Sequence, residues 1–179
     1  MNEDDDRVLV RRCRDGDRAA CEALFGRYQK PVYNAALRLL RNPEDAKDVA
    51  QTVFLKAFGH LADYDPSFKF YSWIYRIAVN EAFNVLGSRK TFGEISGEEP
   101  DEAPGPERRV EGEQLSEAIE EALMSIKPDL RTVIVLRHSL HLSYQDMSDV
   151  LQLPEKTVKS RLYDARQLMR EHLLQRGIL

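Results

Sequence analysis

One long segment of this 179-residue chain is unsuited to a packed core. Residues 91–113 contain four glycines and three prolines, and no apolar periodicity runs through them. Such a composition is typical of a flexible linker. Eight acidic and two basic side chains give the segment a net charge of −6, whereas the whole chain carries −4. We therefore predict two modules, residues 1–90 and residues 114–179, joined by a flexible acidic linker.

Both modules show the apolar repeat of helices, and neither shows the alternation of a β-strand. Capping residues such as Asn42 and Ser143 mark the starts of some of these repeats. We therefore predict an all-α fold of two small helical domains. The predicted helices cover residues 8–14, 18–28, 31–41, 43–58 and 71–86 of the first module and residues 114–126, 130–139, 144–151 and 155–174 of the second.

The composition argues against secretion and against a membrane anchor. No run approaches the roughly 20 apolar residues that a membrane-spanning helix needs, and the acidic N-terminus lacks the basic-then-apolar order of a secretion signal. Two cysteines, Cys13 and Cys21, are too few for a disulfide framework. We therefore expect a cytoplasmic protein without direct membrane insertion, in which both cysteines are reduced thiols.

The sequence contains no recognisable catalytic or cofactor motif. It lacks a phosphate-cradling glycine loop, a metalloprotease histidine pair and cysteine pairs at zinc spacing. His138 and His141 could share a helix end, but a zinc site usually needs three or four protein ligands. We therefore expect no catalytic residues, no cofactor and no metal.

Residues 142–162 have the pattern of a helix-turn-helix, which is a short helix, a tight turn and a longer second helix. An ordinary solvated basic face is the alternative, and the compact spacing favours DNA binding. Cations suit phosphates, and polar groups suit base edges in the major groove. Spacing along the second helix directs Val158, Leu162, Ala165 and Met169 to the core and leaves Lys156, Lys159, Ser160, Tyr163, Arg166 and Arg170 outside.

The predicted helix over residues 43–58 has an apolar stripe for the core and an opposite polar face that includes one leucine. That face holds Asp48, Gln51, Thr52 and Leu55. A leucine among polar side chains suits a protein partner, although isolated exposed leucines are common and need no partner. The pattern by itself leaves both interpretations open.

Seven aromatic side chains fall within residues 64–83, interleaved with Lys69 and Arg76. Rings for stacking and cations for the backbone are typical of proteins that bind single-stranded DNA. We expect DNA contacts from Arg76, Asn80 and the loop of residues 63–69. The small module also needs apolar bulk for its core, and to that packing we assign mainly Phe70, Trp73, Ile74 and Ile77.

Three segments resemble extracytoplasmic-function sigma factors of bacterial RNA polymerase, in the order in which that family carries them. Residues 43–58 resemble the polymerase-binding helix, residues 70–80 the minus-ten helix and residues 142–162 the minus-thirty-five reader. The resemblance covers nearly the whole chain outside the linker. It implies a non-enzymatic initiation subunit that binds core RNA polymerase and promoter DNA, both duplex and melted, under the control of an anti-sigma factor.

The same resemblance, with the helix faces described above, implies three sets of site residues. Core polymerase would contact Asp45, Asp48, Gln51, Thr52 and Leu55. The minus-ten element, with one base flipped from the melted strand, would contact Asp63, Tyr64, Phe68, Lys69, Arg76 and Asn80. The minus-thirty-five element would contact Arg137, Tyr144, Gln145, Lys156, Thr157, Lys159, Ser160, Arg161, Tyr163 and Arg166.

Three positions depart from the family pattern. Asp164 stands where relatives often carry a basic residue, and Asn84 and Gly87 replace an acidic and a basic residue after the minus-ten helix. Two other protein classes explain part of the sequence. A helix-turn-helix regulator that binds DNA alone accounts only for residues 142–170. An adaptor that sequesters transcription proteins leaves the basic face of the last helix without a role.

Overall fold

Helices account for most of the residues that the computed structural model describes, which are 3–96 and 111–178. No β-strand occurs in those two stretches, and the predicted all-α class is confirmed. None of their helices is both long and apolar enough to cross a membrane. The α-helices are α1 (Glu3–Arg14), α2 (Arg18–Leu40), α3 (Pro43–Gly59), α4 (Phe70–Ser96), α5 (Glu111–Ser125), α6 (Pro128–Ile134), α7 (Tyr144–Leu151) and α8 (Glu155–Gln175).

Helix α2 continues through Pro31, where the sequence predicted the start of a new helix. A proline inside a helix removes a backbone hydrogen bond and costs about 3 kcal/mol. Tyr28 and Val32, on either side of it, are almost completely buried. Because burial of one large apolar side chain contributes roughly 1.5–3 kcal/mol, packing on both sides of Pro31 offsets the lost hydrogen bond.

The helices beside the predicted linker are longer than the sequence indicated. Helix α4 continues to Ser96 and α5 begins at Glu111, so both enter the segment of residues 91–113. Arg89 helps to prolong α4, because its guanidinium donates to the Leu40 carbonyl oxygen at 3.3 Å and pairs with a carboxylate of α3. Residues 97–110, the rest of the predicted flexible linker, lie outside the described residues.

Side-chain caps fix the starts of α3 and α7, both at the predicted residues. The Asn42 side chain accepts the backbone N–H groups of Glu44 and Asp45 at 3.0 and 3.1 Å. Ser143 caps α7, and Asp146 completes a reciprocal capping box with it. These caps satisfy backbone N–H groups in the first turns of the two helices, which otherwise lack partners.

The buried apolar side chains of the two modules form one continuous core. Phe70 and Ile74 are buried as assigned from the sequence, whereas Trp73 and Ile77 are half-buried against the same core. The core prediction for α8 is also confirmed, because its predicted stripe is buried except for the half-buried Met169. Fully buried side chains include Leu24, Tyr28, Val53, Ile74 and Tyr75 in the first module and Val133, Leu136, Met147, Val158 and Leu162 in the second.

Cys13 and Cys21 form a disulfide, so the expectation of two reduced thiols is wrong for this structure. The turn at residues 15–17 folds the end of α1 back onto the start of α2 and brings the two Cα atoms to 5.0 Å. That separation suits a disulfide. Gly16 in this turn has a φ of +89°, a left-handed conformation that favours glycine. The turn thus brings Cys13 and Cys21, which are eight residues apart in sequence, into covalent contact.

The two modules pack against each other partly through the buried Arg131 of α6. Its guanidinium donates to the Leu39 carbonyl oxygen, near the end of α2, at 2.6 Å. It also donates to the carbonyl oxygens of Leu123, Met124 and Ile126, at the end of α5, at 2.9 to 3.2 Å. Burial lowers the pKa of Arg131, but helix C-termini favour a cation. One guanidinium therefore joins helix ends from both modules.

Candidate polymerase and promoter interfaces

The outward face of α3 presents most of the predicted polymerase-binding residues to solvent. Leu55 is 68% exposed, and Asp48 and Gln51 on the same face are exposed as well. Thr52 is half-buried beside them. Asp45, the fifth predicted residue, is also half-buried, and a guanidinium of α4 binds its carboxylate. The face therefore offers one large apolar side chain among polar ones.

The predicted minus-ten loop, residues 63–69, holds its shape through hydrogen bonds of its own. The Tyr64 hydroxyl donates to the Phe68 carbonyl oxygen at 2.5 Å. The Asp65 carboxylate accepts the Ser67 backbone N–H at 2.8 Å, and hydrogen bonds from Ser67 hold the pKa of Asp65 below its ordinary value. The loop is thus partly organised before any ligand binds.

Tyr64 supports this loop from inside the module. Its ring is only 4% exposed, and its centroid lies 5.7 Å from that of Phe70 and 5.3 Å from that of Trp73. The sequence predicted that Tyr64 contacts DNA. In this structure the side chain is placed to position the loop, because packing and its hydroxyl bond occupy it.

Other predicted minus-ten residues line the outside of the loop and of α4. Asp63 is exposed and lies 3.1 Å from His60 Nδ1. Phe68 and Asn80 are exposed, and the Arg76 guanidinium lies over the Phe68 ring, 5.4 Å from its centroid. An exposed ring with a cation beside it has the chemistry of a stacking platform for an unpaired base.

Lys69 and Arg76 contact the second module. Lys69 Nζ lies 3.1 Å from a carboxylate oxygen of Asp146. Arg76 donates to the backbone carbonyl oxygen of Asp149 at 2.9 Å. Hydrogen bonds to Tyr71 and Asp146 raise the pKa of Lys69. Two predicted minus-ten cations are therefore occupied by helix α7 of the other module.

The second module contains the predicted helix-turn-helix, formed by α7, a turn at residues 152–154 and α8. The outer face of α8 is polar and accessible, and Tyr163 on it is 64% exposed. Thr157 and Arg161 are half-buried at its margin, with Arg161 3.9 Å from the Asp129 carboxylate. The predicted reader residues that are exposed on α8 are Lys156, Lys159, Ser160, Tyr163 and Arg166.

An aromatic ring held between two cations borders this face. The guanidinium carbon of Arg137 and Lys159 Nζ each lie 5.1 Å from the centroid of the Tyr144 ring. Arg137 also donates to the Leu142 carbonyl oxygen at 2.7 Å. Gln145 is exposed at the start of α7. Arg137 and Tyr144, which lie outside α8, thus form one cationic cluster with Lys159 of its outer face.

The Arg166 side chain is oriented by a histidine. Its guanidinium lies 3.2 Å from His138 Nε2. Burial and the nearby cations Arg166 and Arg137 lower the pKa of His138. The neutral ring can therefore accept a hydrogen bond from Arg166, and this bond orients the Arg166 guanidinium at the outer face of α8.

The structure brings the two predicted DNA surfaces together, in what we call the closed arrangement. Lys69 and Arg76 of the minus-ten surface meet α7, which belongs to the helix-turn-helix. Two cations of the predicted minus-ten surface therefore lie at the interface between the modules in this arrangement.

Several residues that shape these surfaces were not singled out from the sequence. Asp146 and Asp149 hold the minus-ten cations, and Arg14 of α1 donates to the Ala62 carbonyl oxygen beside the minus-ten loop at 3.3 Å. Only Asp146 had a local signal, since Ser143 and an acidic residue three positions later form a capping box. The other contacts join residues distant in sequence and leave no local pattern.

A groove of about 1190 Å³ runs between α2 and the second module. Its wall on α2 is basic, with Lys30, Arg38 and Arg41. Its opposite wall includes His138 and His141. The Arg38 side chain bridges the groove to a glutamate of α5 at 3.7 Å. Glu117 and Glu120 of α5 also line the groove, so its walls carry side chains of both charges.

Comparison with known families and proteins agrees with the division into two modules. The family model for Sigma-70 region 2 matches residues 24–91, and that for Sigma-70, region 4 matches residues 116–169. The RNA polymerase sigma-H factor of Pseudomonas aeruginosa is 32% identical, and the alignment covers 93% of each chain. The ECF RNA polymerase sigma-E factor of Escherichia coli K12 is 34% identical over 90% of this chain and 91% of its own.

Two solved structures share the fold. CnrH in complex with the cytosolic domain of CnrY superposes with a TM-score of 0.73 at 26% identity, over 94% of this chain and 97% of that one. RpoE in complex with the anti-sigma factor NepR from Bartonella quintana has a TM-score of 0.74 at 21% identity, over 85% and 95%. On these matches, and on the surfaces described above, the chain belongs to the extracytoplasmic-function (ECF) group of RNA polymerase sigma factors.

Proposed function

We propose that this sigma factor binds core RNA polymerase through the outward face of α3 and directs it to promoters with two DNA surfaces. The loop of residues 63–69, with Arg76 and Asn80, handles the melted minus-ten strand. The outer face of α8 reads the duplex minus-thirty-five element. The protein acts in the cytoplasm, where RNA polymerase meets the chromosome, and it contributes no catalytic residues of its own. Family membership and the exposure of these surfaces support the assignment.

The 68% exposure of Leu55 carries the polymerase assignment. A protein partner can bury this large apolar side chain, which stands in the middle of a polar helix face. Asp48 and Gln51 beside it are exposed and can supply directional hydrogen bonds. This arrangement, an apolar anchor with a polar rim, is typical of protein interfaces.

The test is the affinity of the chain for core polymerase after Leu55→Asp. Burial of a leucine contributes about 2 kcal/mol, so we expect the dissociation constant to rise at least about 30-fold. Val8→Asp is the matched control, because Val8 is 54% exposed on a different helix. Since both side chains are largely exposed, neither change should lower the melting temperature by more than a few degrees.

Promoter-specific initiation is measured with the same variants. Wild type and Val8→Asp should convert core enzyme into one that starts transcripts at defined positions, and Leu55→Asp should do so only at much higher concentration. Equal affinity of the two variants for core enzyme would refute the proposed role of α3. DNA binding without any effect on core enzyme would favour the helix-turn-helix regulator instead.

The control of this sigma factor by an anti-sigma factor is also part of the proposal. The two similar structures described above are complexes, one with the cytosolic domain of CnrY and one with the anti-sigma factor NepR. The groove between α2 and the second module offers Lys30 and Arg41 to a segment with acidic side chains. Occupation of that groove would touch both modules and so stabilise the closed arrangement.

A further inference from the structure

Helix α1 is fixed at both ends against the rest of the first module. Near its start, the buried Asp6 accepts hydrogen bonds from the Tyr28 hydroxyl and from Arg27. At its other end, Cys13 is covalently joined to Cys21 in the first turns of α2. Between these two anchors, Leu9 and Val10 pack into the core. The position of α1 is therefore tightly determined while the disulfide is intact.

The residue next to the disulfide contacts the support of the minus-ten loop. Arg14 follows Cys13 directly, and its guanidinium donates to the Ala62 carbonyl oxygen at 3.3 Å. Ala62 lies in the 3-10 turn Leu61–Asp63, which leads into the loop. Since Arg14 is the last residue of α1, its reach to this turn depends on how firmly that helix end is held.

We propose that Cys13 and Cys21 are a redox-responsive pair that fixes α1 beneath the minus-ten loop and thereby tunes promoter melting. This inference rests on the proposed function, because it concerns the surface assigned above to the melted strand. Disulfides in cytoplasmic proteins are usually transient and respond to redox conditions. A disulfide in a sigma factor is therefore expected to be reversible rather than purely structural.

The oxidation is a two-electron thiol–disulfide exchange with a small-molecule disulfide, RSSR. Cys21 is the more accessible thiol, since Cys13 is only 8% exposed. The Cys21 thiolate, the reactive form, attacks one sulfur of RSSR and releases RS⁻. The Cys13 thiolate then attacks Cys21 Sγ in the mixed disulfide and releases a second RS⁻. The two protons lost by the cysteines convert the two RS⁻ into two RSH, and the two electrons lost by the cysteines reduce RSSR.

The test begins with the purified full-length chain, oxidised with oxidised glutathione or reduced with dithiothreitol before core enzyme is added. The holoenzyme then forms open complexes at a promoter where it starts a defined transcript. We expect the oxidised chain to give open complexes that survive a DNA competitor two- to tenfold longer, which is the effect of about one hydrogen bond of ordinary strength. Amide exchange in residues 62–69 should slow on oxidation by a similar factor.

Three variants separate positioning from general stabilisation. Cys13→Ser/Cys21→Ser should behave as the reduced chain and ignore both reagents. Arg14→Gln should abolish most of the redox difference, whereas Arg11→Gln, an exposed arginine one turn earlier, should retain it. The affinity for core enzyme should be the same in both redox states, because α3 carries that contact. A general loss of stability would instead change both the open-complex lifetime and the affinity for core enzyme.

A second readout locates the effect on the DNA. Single abasic sites are placed along the non-template strand of the minus-ten element. The redox difference should vanish at the position whose base the loop captures and persist at the others. If oxidised glutathione does not form the disulfide between the two cysteines, the redox proposal is overturned and the proposed function stays intact. The same follows if open complexes with defined starts have equal lifetimes in the two redox states. If neither the oxidised nor the reduced chain gives defined starts, the redox proposal and the proposed function are both overturned.

Discussion

The closed arrangement depends in part on the ion pair between Lys69 and Asp146. Removal of this ion pair should shift the molecule toward an open arrangement, in which the two modules are separated. The Asp146 side chain is only 9% exposed and that of Lys69 is 37% exposed, at an N–O distance of 3.1 Å. Exposed pairs contribute about 0.2–1 kcal/mol, whereas removing one partner of a buried pair costs about 3–5 kcal/mol. For this half-buried pair we expect about 1.5 kcal/mol, so Lys69→Met should lower the ratio of closed to open molecules roughly tenfold.

The loss is limited because Asp146 keeps other partners. It accepts the backbone N–H of Ser143 at 3.2 Å and the Ser143 hydroxyl at 2.6 Å. Asp146→Asn removes the charge but retains an acceptor for this cap, so α7 should still form. A double-mutant cycle with Lys69→Met and Asp146→Asn therefore isolates the contact between the modules, with an expected coupling of about 1 kcal/mol.

The assay is energy transfer between two dyes on the full-length chain, one at Lys47 of α3 and one at Gln175 of α8. Both positions are exposed, and unnatural side chains leave the cysteine pair untouched. Lys56→Met is the matched control, since Lys56 pairs with Glu81 at 2.7 Å within the first module. It should leave the distance distribution unchanged. Identical distributions for wild type and Lys69→Met, or a coupling below about 0.3 kcal/mol, would refute the reasoning.

Two further predictions concern acid and the minus-ten loop. Burial opposes ionisation of Asp146, but hydrogen bonds from Ser143, Tyr71 and Lys69 outweigh it and lower its pKa below the ordinary 3.8. Lys69 and Tyr71 of the first module favour the ionised form only while the modules are in contact, so this contribution is lost as pH falls through the lowered pKa. Energy transfer should therefore stay constant from about pH 5 to 9 and drop below about pH 4. Tyr64→Phe removes the 2.5 Å hydroxyl bond to Phe68, keeps the ring packing and should cost about 1 kcal/mol in chemical denaturation. Amide exchange of residues 65–69 should quicken, whereas unchanged exchange, or an equal loss in Tyr163→Phe on the surface, would contradict the role of Tyr64.

Local signals in the sequence were sufficient for the helix starts and the reading face. Asn42 followed by a proline and two acids predicted the start of α3, and the structure confirms it. The stripe of Val158, Leu162 and Ala165 predicted which side of α8 is buried, and that is confirmed too. In both cases the residues that determine the structure lie within one or two helical turns of each other, so the local sequence is sufficient for the prediction.

The errors arose where distant contacts override local rules. Pro31 predicted a helix boundary, but buried neighbours on both sides keep α2 continuous. The DNA contact of Tyr64 stays a prediction, although its side chain packs inside the module. The contact of Arg76 with Asp149 spans 73 residues and has no local signature. The assignment of individual residues to polymerase and DNA stays a prediction.

The chemistry of the closed arrangement explains why it can be reversible. Lys69 and Arg76 are cations whose partners across the modules are a carboxylate and a carbonyl oxygen. Phosphate oxygens are acceptors of the same kind, so under the proposed function promoter DNA would replace both partners and keep each cation paired. The cost of opening therefore falls mainly on the acceptors of α7. The capping hydrogen bonds between Asp146 and Ser143 lie within α7 and its cap, so they do not depend on the contact between the modules.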